Sequence, residues 1–502
     1  MKRKIFIFLL FLIFIFVLNC KKREKGDLIS VCLESFPSTF DPRYATDQSS
    51  DRVLTLTHRG LFTVNEKMEP VGDAVCSFSF LSPTLIRIKL KNDLFFSDGK
   101  KVSSDDVIFT INSILFNAPV SPKRSELEII KEIRKLDDLT FEIELKRPFA
   151  PILTLLNFGI VQSGCFFDPD RMPVGCGYYK IKDFKRGRHI LLSENIFSKE
   201  RPKVKTVLMK VIEDPTIRSL ELLRGTLDIV VNDLPYDSIK SFEKKGFIVV
   251  NTNGANYSYV GFNCRKNPLD KKDVRRAIAM AIQREEILKN VIRGFGREAS
   301  GLISPENWAF YKTQNPPYNP VLSSEILDNL GLVKNDKGKR FSLSYKISMN
   351  KVSRFVAEAI SENLRQIGIR IDIQTLEWGT FYDDIKKGNF DMFSLNWIGI
   401  KDPDAFRLRF HSQMAPPFGF NRGCYQNPYL DKLLDAGCGE LNLEKRKEIY
   451  KDVQKILSED CPYINLWWPN IVVVANNRIK PFKVPSDGSY IFIKDLEIKD
   501  HS

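Results

Sequence analysis

Helix-like and strand-like patterns alternate along most of this 502-residue chain. From Ser353 to Gly368, apolar residues recur at three- and four-residue spacing, which predicts a helix that ends at the glycine. The next residues alternate as in a strand, with Ile369, Ile371 and Ile373 on one face. A helix that leads directly into such a strand is a unit of α/β folds, so the pattern predicts an α/β protein.

Two other segments predict where helices begin. Ser103, with Asp106 three residues later, resembles a capping box and predicts a helix over Val107 to Leu115. Asp273 is placed to cap a second helix, expected from Val274 to Leu288, whose apolar residues again recur at helical spacing.

The start of the chain is typical of an exported protein. Three basic residues precede an unbroken apolar run from Ile5 to Leu18, which has the charge and length of a secretory signal. The sequence Val-Leu-Asn-Cys that follows resembles a bacterial lipobox ending at Cys20. We therefore expect a signal peptide over 1–19 and a lipidated N-terminus and tether over 20–25. The alternatives are an uncleaved anchor or free secretion, and in each the body lies outside the cytoplasm.

Charge and hydropathy describe a globular body after Cys20. No later apolar stretch approaches the roughly 20 residues of a membrane-spanning helix. The formal net charge of +14 is spread among 62 acidic residues, without a block of five like charges, so no nucleic-acid partner is expected. A hydrophobic content of 43% over this length is ample for large cores.

No motif predicts an enzyme. The sequence contains no GxSxG, HExxH or P-loop pattern, and its four histidines lie far apart. Eight cysteines besides Cys20 form no CxxC pair; their even number permits disulfides, but small buried side chains are an equally good interpretation. We expect no catalytic residues, no cofactor and no dedicated metal site.

All five tryptophans lie between positions 308 and 468, which indicates a C-terminal lobe with large aromatic surfaces. Core packing accounts for one or two of them. Trp397 and the pair Trp467 and Trp468 could also line a ligand cleft, and for the pair the two interpretations are equally balanced.

A collinear series of short segments resembles family 5 solute-binding proteins of peptide and nickel importers, over nearly the whole mature chain. The segments are Phe36 to Pro42, Gly60 to Phe62, Phe96 to Gly99, Val102 to Val107, Pro173 to Tyr179, Leu223 to Asp228, Gly261 to Asn263, Asp273 to Ile287, Trp397 to Gly399, Asp402 to Phe406, His411 to Ser412 and Asn421 to Gly423. Each is weak alone, but their common order makes the resemblance specific.

The resemblance implies the architecture of a type II periplasmic binding protein, in which two α/β lobes close about a hinge. A smaller domain is inserted in the first lobe. Lobe I is then expected over 26–60, 173–260 and 472–502, the small domain over 61–172, and lobe II over 261–471.

The function implied is capture of a peptide or peptide-like solute between the lobes and its delivery to an ABC permease and its ATPase. The protein is expected to act as a monomer in the periplasm or at the cell surface, anchored to the membrane by a lipid on Cys20. Asn396, Trp397, Ile398 and Gly399 match the stretch that contacts the ligand backbone in this family.

Ligand recognition departs from the family at one position. Peptide-binding relatives typically place an aspartate three residues after this tryptophan, where it pairs with the ligand ammonium; here that residue is Ile400. Asp402 or Asp404 could substitute, although Asp-Pro-Asp is also an ordinary turn. Arg422 could pair with a carboxylate of the ligand or of the protein itself, and Trp467 could stack on the ligand.

Two alternatives stay open. The cargo could be a non-peptide solute, such as a metal chelate, haem or an oligosaccharide, because fold alone does not choose among them. The chain could also be a surface adhesion or signalling lipoprotein built on the same fold.

Overall fold

The structure is a computed structural model that describes residues 27–168, 172–232 and 234–499. The expected signal peptide and Cys20 lie outside the described residues. Its strands are β1 Leu28–Leu33, β2 Phe62–Val64, β3 Pro70–Gly72, β4 Val75–Ser82, β5 Leu85–Leu90, β6 Ile130–Lys135, β7 Thr140–Leu145, β8 Tyr179–Lys185, β9 His189–Glu194, β10 Thr206–Val211, β11 Ile229–Val231, β12 Ile248–Thr252, β13 Tyr257–Phe262, β14 Gly296–Glu298, β15 Phe341–Ser348, β16 Ile369–Leu376, β17 Met392–Trp397, β18 Tyr463–Pro469 and β19 Ile471–Ala475.

The helices lie between these strands. They are α1 Gln48–Thr57, α2 Ser104–Phe116, α3 Arg124–Leu127, α4 Ile152–Leu155, α5 Pro215–Leu223, α6 Tyr236–Lys244, α7 Lys272–Met280, α8 Arg284–Asn290, α9 Pro320–Asn329, α10 Lys351–Gln366, α11 Trp378–Lys387, α12 Ala405–Phe410, α13 Pro428–Gly439 and α14 Leu443–Asp460, with 3-10 turns at Ser412–Met414 and Tyr490–Asp495. Over the described ranges, none of the helices is both long enough and apolar enough to cross a membrane.

A seven-stranded sheet takes its strands from three distant parts of the chain. Its order is β12-β19-β11-β1-β10-β9-β8, and β1 runs parallel to both of its neighbours. Side chains of a strand alternate between faces. Accordingly, Ile29, Val31 and Leu33 of β1 enter one hydrophobic cluster and Cys32 enters another.

A six-stranded sheet of order β14-β18-β13-β17-β15-β16 forms the second lobe. Its strand β13 is buried along its full length and pairs with both β17 and β18. Tyr257 and Tyr259 pack in one hydrophobic cluster, while Val260 and Phe262 pack in another. The strand therefore holds together the two layers that cover this sheet.

A four-stranded sheet, β4-β5-β7-β6, lies in the chain between β1 and β8 of the first lobe. It has its own core, to which Ile86, Ile111 and Phe141 contribute without any exposed surface. The mixed α/β class with two lobes and an inserted small domain is therefore confirmed.

The chain passes between the two large sheets twice. The first crossing lies at 253–256, between β12 and β13, and the return is at Asn470, between β18 and β19. The sequence had placed these passages a few residues later, after 260 and 471. All of β13 belongs to the second lobe because its six residues form the centre of the six-stranded sheet.

The local predictions hold with one correction. Helix α2 begins at Ser104 behind the expected capping box, one turn before the predicted start at Val107. Gly368, with φ of +86°, ends the turn between α10 and β16 as expected. The helix expected over Val274 to Leu288 is wrong, because two helices, α7 and α8, meet at a bend near Gln283. Lys271, not Asp273, precedes the first turn.

The bend has a physical cause. The backbone N–H of Gln283 donates to Oδ1 of Asn363 at 3.0 Å instead of continuing the helix. The change of direction lets Ile282 and Ile287 both enter the hydrophobic cluster of the second lobe.

The expectation for the cysteines is settled in part, since Cys176 and Cys461 are free thiols buried among apolar side chains.

The capping box of the small domain provides a test of its stability. Oδ2 of Asp106 accepts from the N–H and the hydroxyl of Ser103 at 2.8 and 2.9 Å, and Oδ1 accepts from the N–H of Ser163 at 2.8 Å. Because the carboxylate is buried, Asp106→Ala should lower the free energy of unfolding by about 2 to 4 kcal/mol. Urea denaturation measures the change.

The neighbouring residue supplies the control. Asp105 is exposed and pairs with Lys135 at 2.7 Å, so Asp105→Ala should change the free energy of unfolding by no more than about 1 kcal/mol. Equal effects of the two substitutions would contradict the assignment.

Candidate functional site

The stretch expected to contact a ligand lies at the end of β17 and in the loop after it. Asn396 is exposed and accepts from the hydroxyl of Ser258 at 2.6 Å. Trp397 is buried, whereas Ile398 is 58% exposed. Gly399 has a φ of +68°, a conformation that favours glycine, so the loop turns at this point. The chain thus presents Asn396, Ile398 and Gly399 to solvent around a buried tryptophan.

This loop touches the crossing between the lobes and the first lobe itself. The N–H of Gly399 donates to Oδ1 of Asn256, in the first crossing segment, at 3.3 Å. Nζ of Lys401 lies 3.5 Å from a carboxylate oxygen of Asp487, which follows β19 in the chain. A relative movement of the lobes would therefore change the contacts of this loop.

The small domain meets the second lobe near the same loop. The N–H of Trp308 donates to the carbonyl of Lys67 at 2.9 Å. Beside it, Nδ2 of Asn307 donates to the carbonyl of Lys401 at 3.1 Å. The lobes are thus in contact on more than one side of the loop.

Ile400 stands where the family resemblance implies an aspartate, and it is a buried apolar residue. Its side chain is 4% exposed and packs in the same hydrophobic cluster as Trp397. A carboxylate could be accommodated there only at the cost of desolvating its charge. This position therefore offers no partner to a ligand ammonium.

Asp402 and Asp404 are both engaged within the protein. Asp402 forms a two-pronged pair with Arg446, at 2.6 and 2.9 Å, and Asp404 forms one with Arg407, at 2.8 Å for each contact. Asp402 also accepts from the N–H of Asp404 at 2.7 Å, as an aspartate in a turn does. These contacts favour the structural interpretation of Asp-Pro-Asp.

Arg422 is 5% exposed and has no internal acidic partner. Its guanidinium donates to the hydroxyls of Tyr259 and Tyr382, at 3.3 and 3.2 Å, and its carbon Cζ lies 4.4 Å from the centre of the Trp397 ring. No carboxylate of the described ranges lies within 4.0 Å of it. Of the two partners that the sequence allows, a carboxylate of the protein is therefore not found beside Arg422 among the described residues, and its neighbours are aromatic.

Sequence reasoning missed Arg409. Its Cζ lies 3.9 Å from the centre of the Trp397 ring, and the side chain is 9% exposed. The pKa of Arg409 is lowered to about 10, mainly by burial. The positive charge of Arg422 nearby lowers it further. The signal was present, since two arginines alternate on the short helix α12, but only the fold reveals which of them faces Trp397.

Trp467 lies in the hydrophobic core of the second lobe with 4% of its surface exposed. Trp468 is equally buried, with Phe310 edge-on at 5.8 Å and the guanidinium of Arg297 over its ring. These positions favour core packing over ligand contact for both side chains.

Asp51, in the first turn of α1, is an acidic group that the sequence did not single out. Its side chain reaches solvent, yet protein crowds it on other sides. Desolvation raises the pKa of Asp51, and the nearby ammonium of Lys401 opposes this shift. An acid of the first lobe therefore lies within electrostatic reach of the loop that follows Trp397.

The two lobes, the paired crossings and the loop between them define a solute-binding protein by fold. Residues 82–415 match the family described as bacterial extracellular solute-binding proteins, family 5. The chain belongs to this family.

Known members resemble it along most of their length. The oligopeptide-binding protein AppA of Bacillus subtilis is 27% identical over 492 residues, which cover 92% of this chain and 90% of AppA. The dipeptide-binding protein of Escherichia coli is 25% identical and covers 81% of each chain. The structure of AppA with a nonapeptide superposes with a TM-score of 0.78, at 25% identity, over 94% of this chain and 99% of AppA.

A nickel-related structure is equally similar in fold. NikZ of Campylobacter jejuni, in complex with Ni(L-His), has a TM-score of 0.81 at 25% identity, over 94% of this chain and 99% of NikZ. In the part of the chain that the structure covers, no group of three or more His, Cys, Asp or Glu side chains is arranged to hold a metal ion.

The role of Asp402 can be tested by stability. Arg446 is buried, so Asp402→Asn should leave its charge without a partner and lower the free energy of unfolding by about 3 to 5 kcal/mol. Glu362→Gln is the control, because Glu362 forms an exposed pair with Arg365 and its loss should change the free energy of unfolding far less. Urea denaturation compares the two, and an Asp402→Asn protein as stable as the parent would refute the structural role.

Proposed function

We propose that this protein is the substrate-binding component of an ABC importer, and that it binds a peptide or peptide-like solute between its lobes. Closure about the two crossings would enclose the solute, and the closed form would be recognised by a membrane permease that works with an ATPase. The protein itself performs no catalysis in this function.

The observation that carries the proposal is the position of the loop after Trp397. Gly399 contacts Asn256 in a crossing segment, and Lys401 contacts Asp487 of the first lobe. A ligand can favour the closed form only through contacts that differ between the open and closed forms. A solute placed against this loop would meet groups whose surroundings change when the lobes move.

The peptide character of the cargo is supported by the relatives and by the exposed chain at the end of β17. AppA is an oligopeptide-binding protein, and its structure contains a nonapeptide. Backbone groups near Asn396, Ile398 and Gly399 would pair with an extended ligand as neighbouring strands do, which tolerates varied side chains. The buried Trp397 would support this surface from below.

The proposed cargo is tested by native mass spectrometry of the protein without its signal peptide. Gently sprayed complexes are compared with denatured material, and the released small molecules are identified. We expect a mixture of short peptides, because backbone pairing does not select one sequence. A single non-peptide compound, such as a metal chelate or haem, would replace the peptide proposal, and a protein that retains nothing from any source would favour an adhesion or signalling role.

We also propose that the protein is held at the membrane by a lipid on Cys20, in the periplasm or at the cell surface, and that it acts as a monomer. The support is the lipobox-like sequence directly after the apolar run. The basic residues that follow, Lys21, Lys22 and Arg23, suit a tether close to anionic lipid.

The anchor is tested by replacing its cysteine. Cys20→Ala should remove the lipid mass from the mature protein and move it from the membrane fraction to the soluble extracytoplasmic fraction, since one acylated residue supplies the attachment. Cys76→Ala is the matched control, because Cys76 is an exposed cysteine of the body and should leave the fractionation unchanged. Membrane retention of the Cys20→Ala protein would indicate an uncleaved apolar segment instead.

A further inference from the structure

Two buried arginines lie against one tryptophan ring beside the candidate ligand loop. Cζ of Arg409 is 3.9 Å and Cζ of Arg422 is 4.4 Å from the centre of the Trp397 ring. Both side chains are buried, Arg409 on α12 and Arg422 in the segment that follows it. Two like charges are therefore held close together away from bulk water.

Neither guanidinium has a carboxylate within 4.0 Å among residues 27–168, 172–232 and 234–499. Buried Arg275 also pairs with no carboxylate there, but it donates to four backbone carbonyls instead. Other arginines have a carboxylate partner. Arg407 pairs with Asp404 and Arg446 pairs with Asp402. Burial of an ion usually requires an opposite charge, since desolvation costs several kcal/mol per ion. Contacts with aromatic rings offset only part of that cost.

Two buried donors at this place also have no acceptor in the described part of the chain. They are Nε of Arg409 and Nε1 of Trp397. Nη1 of Arg409 donates to the carbonyl of Ala405 at 2.9 Å. Burial, together with the neighbouring charge of Arg422, lowers the pKa of Arg409, and the more distant charge of Asp404 offsets this only in part. An anion with two or more acceptor oxygens would satisfy both donors and both charges.

The cluster lies directly beneath exposed aromatic side chains. Phe420 stands edge-on to Trp397 at 5.6 Å, lies 5.6 and 5.9 Å from the two guanidinium carbons, and is 38% exposed. On the other side, Tyr382 lies beneath Arg422 and stacks on Trp378, which is 55% exposed. Movement of Phe420 would give an anion access from the ligand loop.

We propose that Arg409, Arg422 and Trp397 form a subsite that receives a carboxylate of the ligand. The inference rests on the proposed function and names how the solute is recognised. The ligand is held by its negative group, supplied by a peptide C-terminus or by an acidic side chain, and no ion pair with its ammonium is needed at position 400. This accounts for an isoleucine at that place together with two arginines that lack a counter-charge.

The first experiment compares pooled libraries of short peptides by native mass spectrometry: one with free termini, one acetylated at the N-terminus and one amidated at the C-terminus. Free and acetylated peptides should be retained alike. Amidated peptides without acidic residues should bind at least about 30-fold more weakly, the scale for losing one partner of a buried charge pair. Retention of amidated peptides that contain Asp or Glu would assign the carboxylate to a side chain.

Matched variants separate recognition from folding. Arg409→Met should abolish the discrimination against amidated peptides and leave the protein no less stable to urea, because it removes a buried charge that has no partner. Arg407→Met, two residues earlier on α12, should be destabilised because it leaves Asp404 unpaired, and should keep the discrimination. Arg422→Met provides a second variant of the subsite in case Arg409→Met does not fold.

The outcomes distinguish this inference from the proposed function. Binding of peptides without preference for a carboxylate would overturn the inference and leave the function intact. Should no library bind, the indole N–H resonance of Trp397, assigned with Trp397→Phe, still decides. The resonance should shift on addition of acetate but not of acetamide, and its insensitivity to both would overturn the subsite whatever the cargo.

Discussion

The first lobe depends on one buried carboxylate that joins segments far apart in the chain. Asp228, at the start of β11, is fully buried and accepts from the N–H and hydroxyl of Ser30 on β1, at 2.8 and 2.7 Å. Arg478, beyond β19, donates to it twice at 2.8 Å. Burial by itself would raise the pKa of Asp228, but these hydrogen bonds outweigh it and hold the pKa below its usual value. This contact holds β1 to β11 and to the segment after β19, although the small domain separates β1 from both along the chain.

Arginines that pair with a carboxylate of the protein have a different role from Arg409 and Arg422, which have no such partner among the described residues. Arg478, Arg446 and Arg407 each meet a carboxylate inside the protein, and each of these pairs secures an element of one lobe. Breaking such a pair leaves an uncompensated charge, so its contribution is to specify one arrangement of distant segments. Arg409 and Arg422 differ because their neighbours are aromatic rings. Arg275 is also buried without a carboxylate, but four backbone carbonyls accept from it, whereas Nε of Arg409 has no acceptor among the described residues. The proposed ligand carboxylate would supply the missing acceptor and the missing charge.

The fold was predictable where local signals determine it. The capping residues at Ser103 and Asp106 and the stop at Gly368 act through neighbouring backbone, so the sequence shows them directly. The bend near Gln283 was not predictable, because it depends on Asn363, 80 residues away. The same applies to the candidate site. Resemblance predicts Asn396 to Gly399 as ligand contacts, but the partner of Asp402 lies 44 residues along the chain, and nothing local shows that Arg422 lacks one. Long-range charge pairing is a property of the folded chain.

Closure of the lobes requires more than the arginine pair. Arg409 and Arg422 both belong to the second lobe, so a carboxylate bound by them alone would have equal affinity for open and closed forms and could not shift their populations. The bias must come from groups of the first lobe that approach the ligand loop. Asp51 and the pair of Asp487 with Lys401 lie at that boundary. Because Lys401 directly follows Ile400, the contact that holds the loop to the first lobe adjoins the position where the family resemblance leads us to expect an aspartate. In this arrangement, Arg409 and Arg422 hold the ligand on the second lobe. The charges at the boundary with the first lobe, those of Asp51, Asp487 and Lys401, bias the protein toward the closed form.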